Sequence, residues 1–365
     1  MSILNKKRLV NSFLKYVKIS SPSGHEANFA QFLKHELELM GLKVTKDKAG
    51  NLYTYLKGND KKTEPILLNA HIDTVTHDKR IRPRITSDGY ITSHGDTILG
   101  ADNKAGVAVI VEILRIIKED KLSHGGIQAI FTVQEETGLH GSSQIKKKDI
   151  KAKIGFVLDG GDVDIIHHKA PCQYNIIAEI FGKAAHAGVR PEEGINAIQV
   201  ASDAISRMKL GRIDIETTAN IGLIEGGRAT NIVPDKVFIR GEARSHNMKK
   251  LKAQINHMKE CLSSACSYSF AKLKIKSDKV YDLFHIGEED HIVKIVKKSL
   301  QDIKLEPKLV ATGGGSDANV FNALGVKSLI LGVGADRIHT NFERIKIDDL
   351  HNAAKFLLRI IKNNA

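Results

Sequence analysis

Seven side chains in this sequence are of types that could do chemistry together: His71, Asp73, Asp102, Glu135, Glu136, Asp159 and His339. His71, Asp102, Glu136, Asp159 and His339 form a mixed nitrogen and oxygen donor set without a thiolate, which suits a pair of borderline divalent ions bridged by a carboxylate. Two such ions supply a nucleophile at neutral pH and polarise a carbonyl, leaving a nearby carboxylate to shuttle protons. The chemistry this points to is metal-assisted hydrolysis, most naturally of an amide. His71 and Asp73 are two apart on extended chain, so their side chains share a side and Asp73 can accept from the His71 ring. The competing reading is a buried His–Asp pair with no metal. Glu135 and Glu136 are adjacent and point apart, so one can ligate while the other faces substrate or water. Asp102, in Leu99-Gly100-Ala101-Asp102-Asn103-Lys104-Ala105-Gly106, could by itself be only the cap of the helix that follows.

The elements that must hold these residues are legible in the hydrophobic pattern. Ile66–Ala70, 126–134, Ile154–Leu158 and Ser328–Gly332 are apolar on both faces, as parallel strands between helix layers are, and each delivers one or more of the seven near its carboxyl end. Ligands of open α/β sheets bind beyond that end, so the pattern predicts one site. Asn5 can cap a first helix, and Ser23-Gly24-His25-Glu26 reads as a capping box opening a second that stops at Gly41. From Leu42 to Leu56 the period is that of strands. Between Cys172 and about Val280 the order is βαββαβ, the split βαβ of a ferredoxin-like domain. The expected fold is therefore a mixed, mostly parallel α/β sheet with helices on both faces plus an inserted α+β lid. Its divisions are a catalytic domain over 1–172 and 281–365 and a lid over 173–280.

Composition is that of an ordinary globule, with 42% hydrophobic and 27% charged residues. Lysine and arginine exceed aspartate and glutamate by 55 to 42, a formal +13. The excess is scattered, no tryptophan is present, and no aromatic residues thread a basic patch, so the charge reads as solvated helix faces rather than a nucleic-acid surface. Cys172, Cys261 and Cys266 cannot all pair and match no zinc spacing, which makes them reduced, partly buried thiols. Met1–Val10 has no apolar signal core and no stretch reaches membrane-spanning length, so a cytoplasmic, membrane-free protein is expected. His77, His94, His124, His167 and His168 read as surface or supporting groups.

His71-Ile-Asp73-Thr-Val, Gly100-Ala-Asp102-Asn-Lys-Ala-Gly106, Glu135-Glu136-Thr-Gly, Leu158-Asp159-Gly and the late His339, in that order, resemble the peptidase T branch of the co-catalytic zinc metallopeptidases. That family also contains carboxypeptidase G, succinyl-diaminopimelate desuccinylase and aminoacylases. The resemblance implies that Asp102 bridges two divalent ions, zinc with cobalt or manganese as alternatives. His71 and Asp159 would complete one ion, and Glu136 and His339 the other. Glu135 would be the general base, Asp73 would orient His71, and the Asp102–Asn103 peptide would be cis. It further implies that His186, Asn231 and Arg244 contact substrate, and that the loop containing Gly314 and Ser316 lines the cleft. Read from the residues alone, His186 is a surface histidine, Arg244 a strand-edge ion pair, and the glycine loop a weak anion cradle. The expected activity is release of N-terminal residues from short peptides by an aminopeptidase or tripeptidase, with a homodimer formed through the lid. The alternatives are a deacylase or carboxypeptidase acting on N-acyl amino acids, and a metal-free binding protein on the same scaffold.

Overall fold

The structure, a computed structural model, describes residues 4–77 and 79–364. Met1–Ile3, the head of the stretch inspected for a leader, lie outside the described residues. The chain divides into two compact units.

The first unit comprises the segments through Lys169, His285–Thr312 and from Ser316 onward. Its large sheet runs Val44–Lys46, Leu52–Lys57, Gly126–Thr132, Ile66–His71, Ile154–Gly160, Lys327–Gly332, Ile165–Ala170, Phe284–His285, with Lys308–Ala311 beside Ile165–Ala170. The four strands expected to be parallel are adjacent and parallel, with His71 opposite Thr132 and Asn69 opposite Val157. Every residue of Ile66–His71 and Gly126–Thr132 is buried, which is why neither run alternates. Helix Ala101–Asp120 packs on Ile66–His71 and is apolar nearly all round, because helices Lys6–Val17 and Ile347–Asn363 also lie against it.

A second, four-stranded antiparallel sheet was not visible in the sequence: Ala335–Asp336, Arg344–Lys346, Tyr90–Ser93, Pro83–Ile85. Its strands are two to four residues long, too short to show a period. It matters because His339 sits in the connection between its first two strands, while Tyr90–Ser93 leads toward Asp102.

Asn5 caps the first helix, its side chain accepting from the Arg8 amide at 3.0 Å. The capping box at Ser23–Glu26 does not form. The helix starts at Ala27, and the buried Glu26 carboxylate accepts instead from Gly24 N at 2.8 Å and Gln134 N at 3.1 Å. A turn beside the glutamate pair has claimed it. His124, read as surface or supporting, is 4% exposed. The three cysteines are free and buried. Among the described residues no helix is long and apolar enough to cross a membrane.

The second unit takes in Ala170–Phe284 and Gly313–Gly315. Its antiparallel sheet runs Gly211–Arg212, Thr217–Gly226, Lys236–Ser245, Cys172–Phe181, Lys272–Tyr281, the order of a split βαβ with one short extra edge strand. Ile176, Ala178 and Ile180 alternate inward against Val200, Leu251, Ile255 and Met258 of helices Ala197–Ser206 and Met248–Tyr268. At Gly315 a Cβ would meet the Tyr281 ring at 2.2 Å, so the close approach there requires glycine.

Candidate metal centre

Two glycines shape the Asp102 loop. Gly100 has φ +75°, the left-handed turn that ends the approach to the helix. A Cβ on Gly106 would lie 2.4 Å from both Asn103 Oδ1 and the Leu158 carbonyl, so only glycine lets the helix start press against the end of the Ile154–Gly160 strand. Between them the Asp102–Asn103 peptide is cis. Asn103, fully buried, donates to the Leu158 carbonyl at 2.6 Å and to Asp159 Oδ1 at 3.0 Å, and accepts from Gly106 N at 3.1 Å. The loop therefore fixes Asp102 and Asp159 relative to each other.

The five expected ligands converge. His71 Nε2 lies 3.1 Å from Asp102 Oδ1 and 3.2 Å from Asp159 Oδ1. His339 Nε2 lies 3.1 Å from Asp102 Oδ2 and 2.9 Å from Glu136 Oε1. The two oxygens of Asp102 are thus divided between two imidazoles, each of which has one further carboxylate. On the far side of His71, Nδ1 is 3.1 Å from the Asp73 carbonyl and 3.3 Å from its carboxylate. The sequence pointed to the carboxylate, but the main-chain oxygen is the nearer acceptor. Asp73 itself is held by the amides of Glu135 and Glu136, at 3.0 and 3.2 Å, and by the Ser23 hydroxyl at 2.7 Å. The residue that orients His71 thereby sets the backbone of the glutamate pair as well. Glu135 is the exception among these acids: among the described residues its carboxylate has no hydrogen-bond partner.

The electrostatics follow from crowding. Six carboxyl groups (Asp73, Asp102, Glu135, Glu136, Asp159 and Asp317) lie around two imidazoles. Burial pushes Glu135 well above the ordinary carboxyl range, helped by the charge of Asp159. Burial likewise pushes Asp159 up to about 7 against the pull of His71. Burial opposes the charge on Asp102 too, yet its bonds to His339 and His71 hold it below the usual range. Those bonds in turn raise His339 to about 10, Asp102 contributing first and Glu136 second. For His71 burial works against the proton, but Asp159, Asp102 and Asp73 together hold it well above the ordinary imidazole value. Such an excess of buried negative charge, with nitrogen and oxygen donors in reach of one another, fits divalent cations. One donor atom each from His71, Asp102 and Glu136 lies within 4.8 Å of the other two.

Two supporting residues escaped the sequence reading. Glu343, 2% exposed, accepts from Leu99 N and Gly100 N through Oε2, both at 2.7 Å, and from Asp102 N through Oε1 at 3.0 Å. It ties the His339 connection to the Asp102 loop, and burial raises it to about 7. Its only sequence signal was an acid four residues after His339. Asp317, 1% exposed, accepts from the Thr132 hydroxyl through Oδ2. Glu343→Gln keeps the shape but has one acceptor oxygen for three amides. It is expected to cost about 1–3 kcal/mol in urea unfolding, and to lower retained metal in the purified protein.

The substrate-side residues divide between the two units. Ser316 is buried in the first, and its hydroxyl is committed to capping helix Asp317–Ala323 by accepting from Ala318 N at 3.2 Å. Gly314 belongs to the second unit. There His186 is exposed, with Nδ1 accepting from Gly188 N at 3.2 Å. Asn231 is exposed and its carbonyl accepts from Ala187 N at 3.0 Å. Arg244 pairs with Glu242 on its own strand at 2.8 Å.

Peptidase family M20/M25/M40 matches residues 67–363, a span that holds all seven chemical residues. The chain belongs to this family. It is 40% identical to a tripeptidase of Staphylococcus aureus, with a TM-score of 0.92 over 98% of both chains. It is also 40% identical to aminopeptidase PepT of Bacillus cereus, with a TM-score of 0.88 over 99% of both. An uncharacterized Bacillus subtilis protein, YqjE, is 42% identical over the whole of both chains. This M20 peptidase is a peptide hydrolase of the peptidase T-like branch, as its motifs predict.

Proposed function

We propose that this M20 peptidase is a tripeptidase or aminopeptidase that releases the N-terminal residue of short peptides with two divalent ions, zinc in the first instance. The observation that carries the reading is Asp102, whose two oxygens each meet a different imidazole. His71 and Asp159 would hold one ion, Glu136 and His339 the other, and Asp102 both. Bound there, the two cations would polarise the scissile carbonyl and acidify the attacking water. Glu135, whose carboxylate has no hydrogen-bond partner among the described residues, would take the proton from that water and pass it to the leaving amine. Asp73 keeps the His71 ring oriented so that Nε2 faces the site. The substrate roles of His186, Asn231, Arg244, Gly314 and Ser316 follow from the family resemblance, as does a homodimer formed through the second unit; a cytoplasmic location is the reading of the sequence.

The support for N-terminal release is the 40% identity to a tripeptidase and to an aminopeptidase. The test is a tripeptide panel with each peptide also supplied N-acetylated. Free tripeptides should be cleaved and acetylated ones spared. Preferred turnover of the acetylated forms would replace this reading with a deacylase or carboxypeptidase.

A further inference from the structure

A cavity of about 580 Å³ opens on the first unit beside the hairpin of Val44–Lys46 and Leu52–Lys57. Its walls carry Lys43, Lys46, Lys148 and Lys151, with the rings of Tyr53 and Tyr55 between them. The first two lysines and the last two are some hundred residues apart in sequence, so their convergence is a product of the fold. Two acids also line the cavity, Asp47 with both oxygens held by its own turn and Asp149 with one. Asp47 accepts from Gly50 N, Asn51 N, Asn51 Nδ2 and the Tyr53 hydroxyl at 2.8–2.9 Å. Asp149 accepts from Lys146 N at 3.1 Å. Among the described residues none of the four lysines has an ion pair; Lys151 lies over the Tyr55 ring at 3.9 Å. Four lysines without ion pairs therefore line a space beside two carboxylates, one of which, Asp47, is taken up by four hydrogen bonds of its own turn.

The cavity is separate from the metal centre. The hairpin is parted from the His71 strand by Gly126–Thr132, and Gln128, which lines the cavity, is near that strand's amino end. From Gln128 to Thr132 the strand rises about 13 Å, with Glu135 and Glu136 beyond. A small molecule in one site does not reach the other.

We propose that this cavity is a second, non-catalytic binding site for an organic phosphate ester. The excess of positive charge in its lining, four lysines against two aspartates, favours an anionic ligand, and ammonium point charges suit a phosphate dianion. The volume falls within roughly 300–1,000 Å³, the range of small organic ligands, and exceeds what inorganic phosphate fills. The tyrosine rings give the uncharged part of the ester an apolar wall. The assignment is independent of the peptidase reading.

Calorimetric titration with AMP and with glucose 6-phosphate, at about 0.15 M salt, tests it on metal-loaded and chelated protein. Saturable binding of at least one ester is expected in both forms. Adenosine should not bind, and inorganic phosphate should bind at least roughly tenfold more weakly. The double variant Lys43→Gln/Lys151→Gln should lose roughly tenfold or more in ester affinity while hydrolysing tripeptides at the parental rate. Both lysines are exposed, so an unchanged melting temperature is expected to accompany that loss. The proposal is overturned if neither ester binds saturably, if adenosine or inorganic phosphate matches them, or if the double variant binds as well as the parent. It is equally overturned if binding disappears on chelation, which would place the ester at the metal centre.

Discussion

Glu135→Ala is expected to lower kcat on a tripeptide by roughly 10²–10⁴-fold, the usual contribution of a positioned general base, with metal content unchanged. That corresponds to about 3–5 kcal/mol of transition-state stabilisation. The separation of effects is what makes the experiment sharp. Among the described residues the Glu135 carboxylate makes no hydrogen bond to another group, and its amide, which bonds Asp73 at 3.0 Å, survives the substitution. Burial already penalises its charge, so removing it should not weaken the folded state. Glu135→Gln should behave alike, since an amide of the same shape cannot take a proton from water. Undiminished turnover in either variant would remove Glu135 from the mechanism, and parallel loss of metal and activity would make it a ligand.

How much of this site the sequence carried depends on the length scale of the elements. The four parallel strands were readable because four to seven consecutive buried residues leave a mostly apolar run, and the chemistry sits at or beyond the ends of those runs. His71, Asp159, Glu135 and Glu136 were found by that rule. Asp102 was found by its glycines, each of which has a steric reason in the structure: the left-handed turn at Gly100 and the close approach at Gly106. His339 was expected by the strand-end rule after Ser328–Gly332, but what places it is the connection between strands of two and three residues, where its backbone is left-handed, φ +63°. Glu343 and Asp317 were missed for a different reason. Their work is to accept hydrogen bonds from Leu99, Gly100, Asp102 and Thr132, groups remote in sequence, and no local spacing signals such a contact. The failed box at Ser23–Glu26 has the same origin in reverse, since a good local partner was taken by the Gln134 amide.

Asp102→Asn is expected to bring activity down to that of the chelated parent, and metal retained after gel filtration should fall with it. An asparagine offers one oxygen where the site uses two, and its amide nitrogen is a donor facing a cation. The same substitution should alter the metal-free protein in a way that identifies what Asp102 holds. In that state His339 is raised from an ordinary 6.5 to about 10, first by Asp102 and then by Glu136. A raised basic group binds its proton more tightly folded than unfolded. Its stabilisation is therefore complete below about pH 6.5 and is lost as pH climbs toward 10. Unfolding midpoints of the chelated parent, measured at about pH 6, 8 and 10, should fall across that window. In the chelated variant only Glu136 remains to hold the imidazolium, so the fall should finish at lower pH. Metal must displace the same proton, so affinity in the parent should strengthen as pH rises through the window, with proton release measurable in weakly buffered solution. If parent and variant show one and the same pH slope, His339 is not bound to Asp102, and the geometry that joins the two halves of the metal centre is wrong.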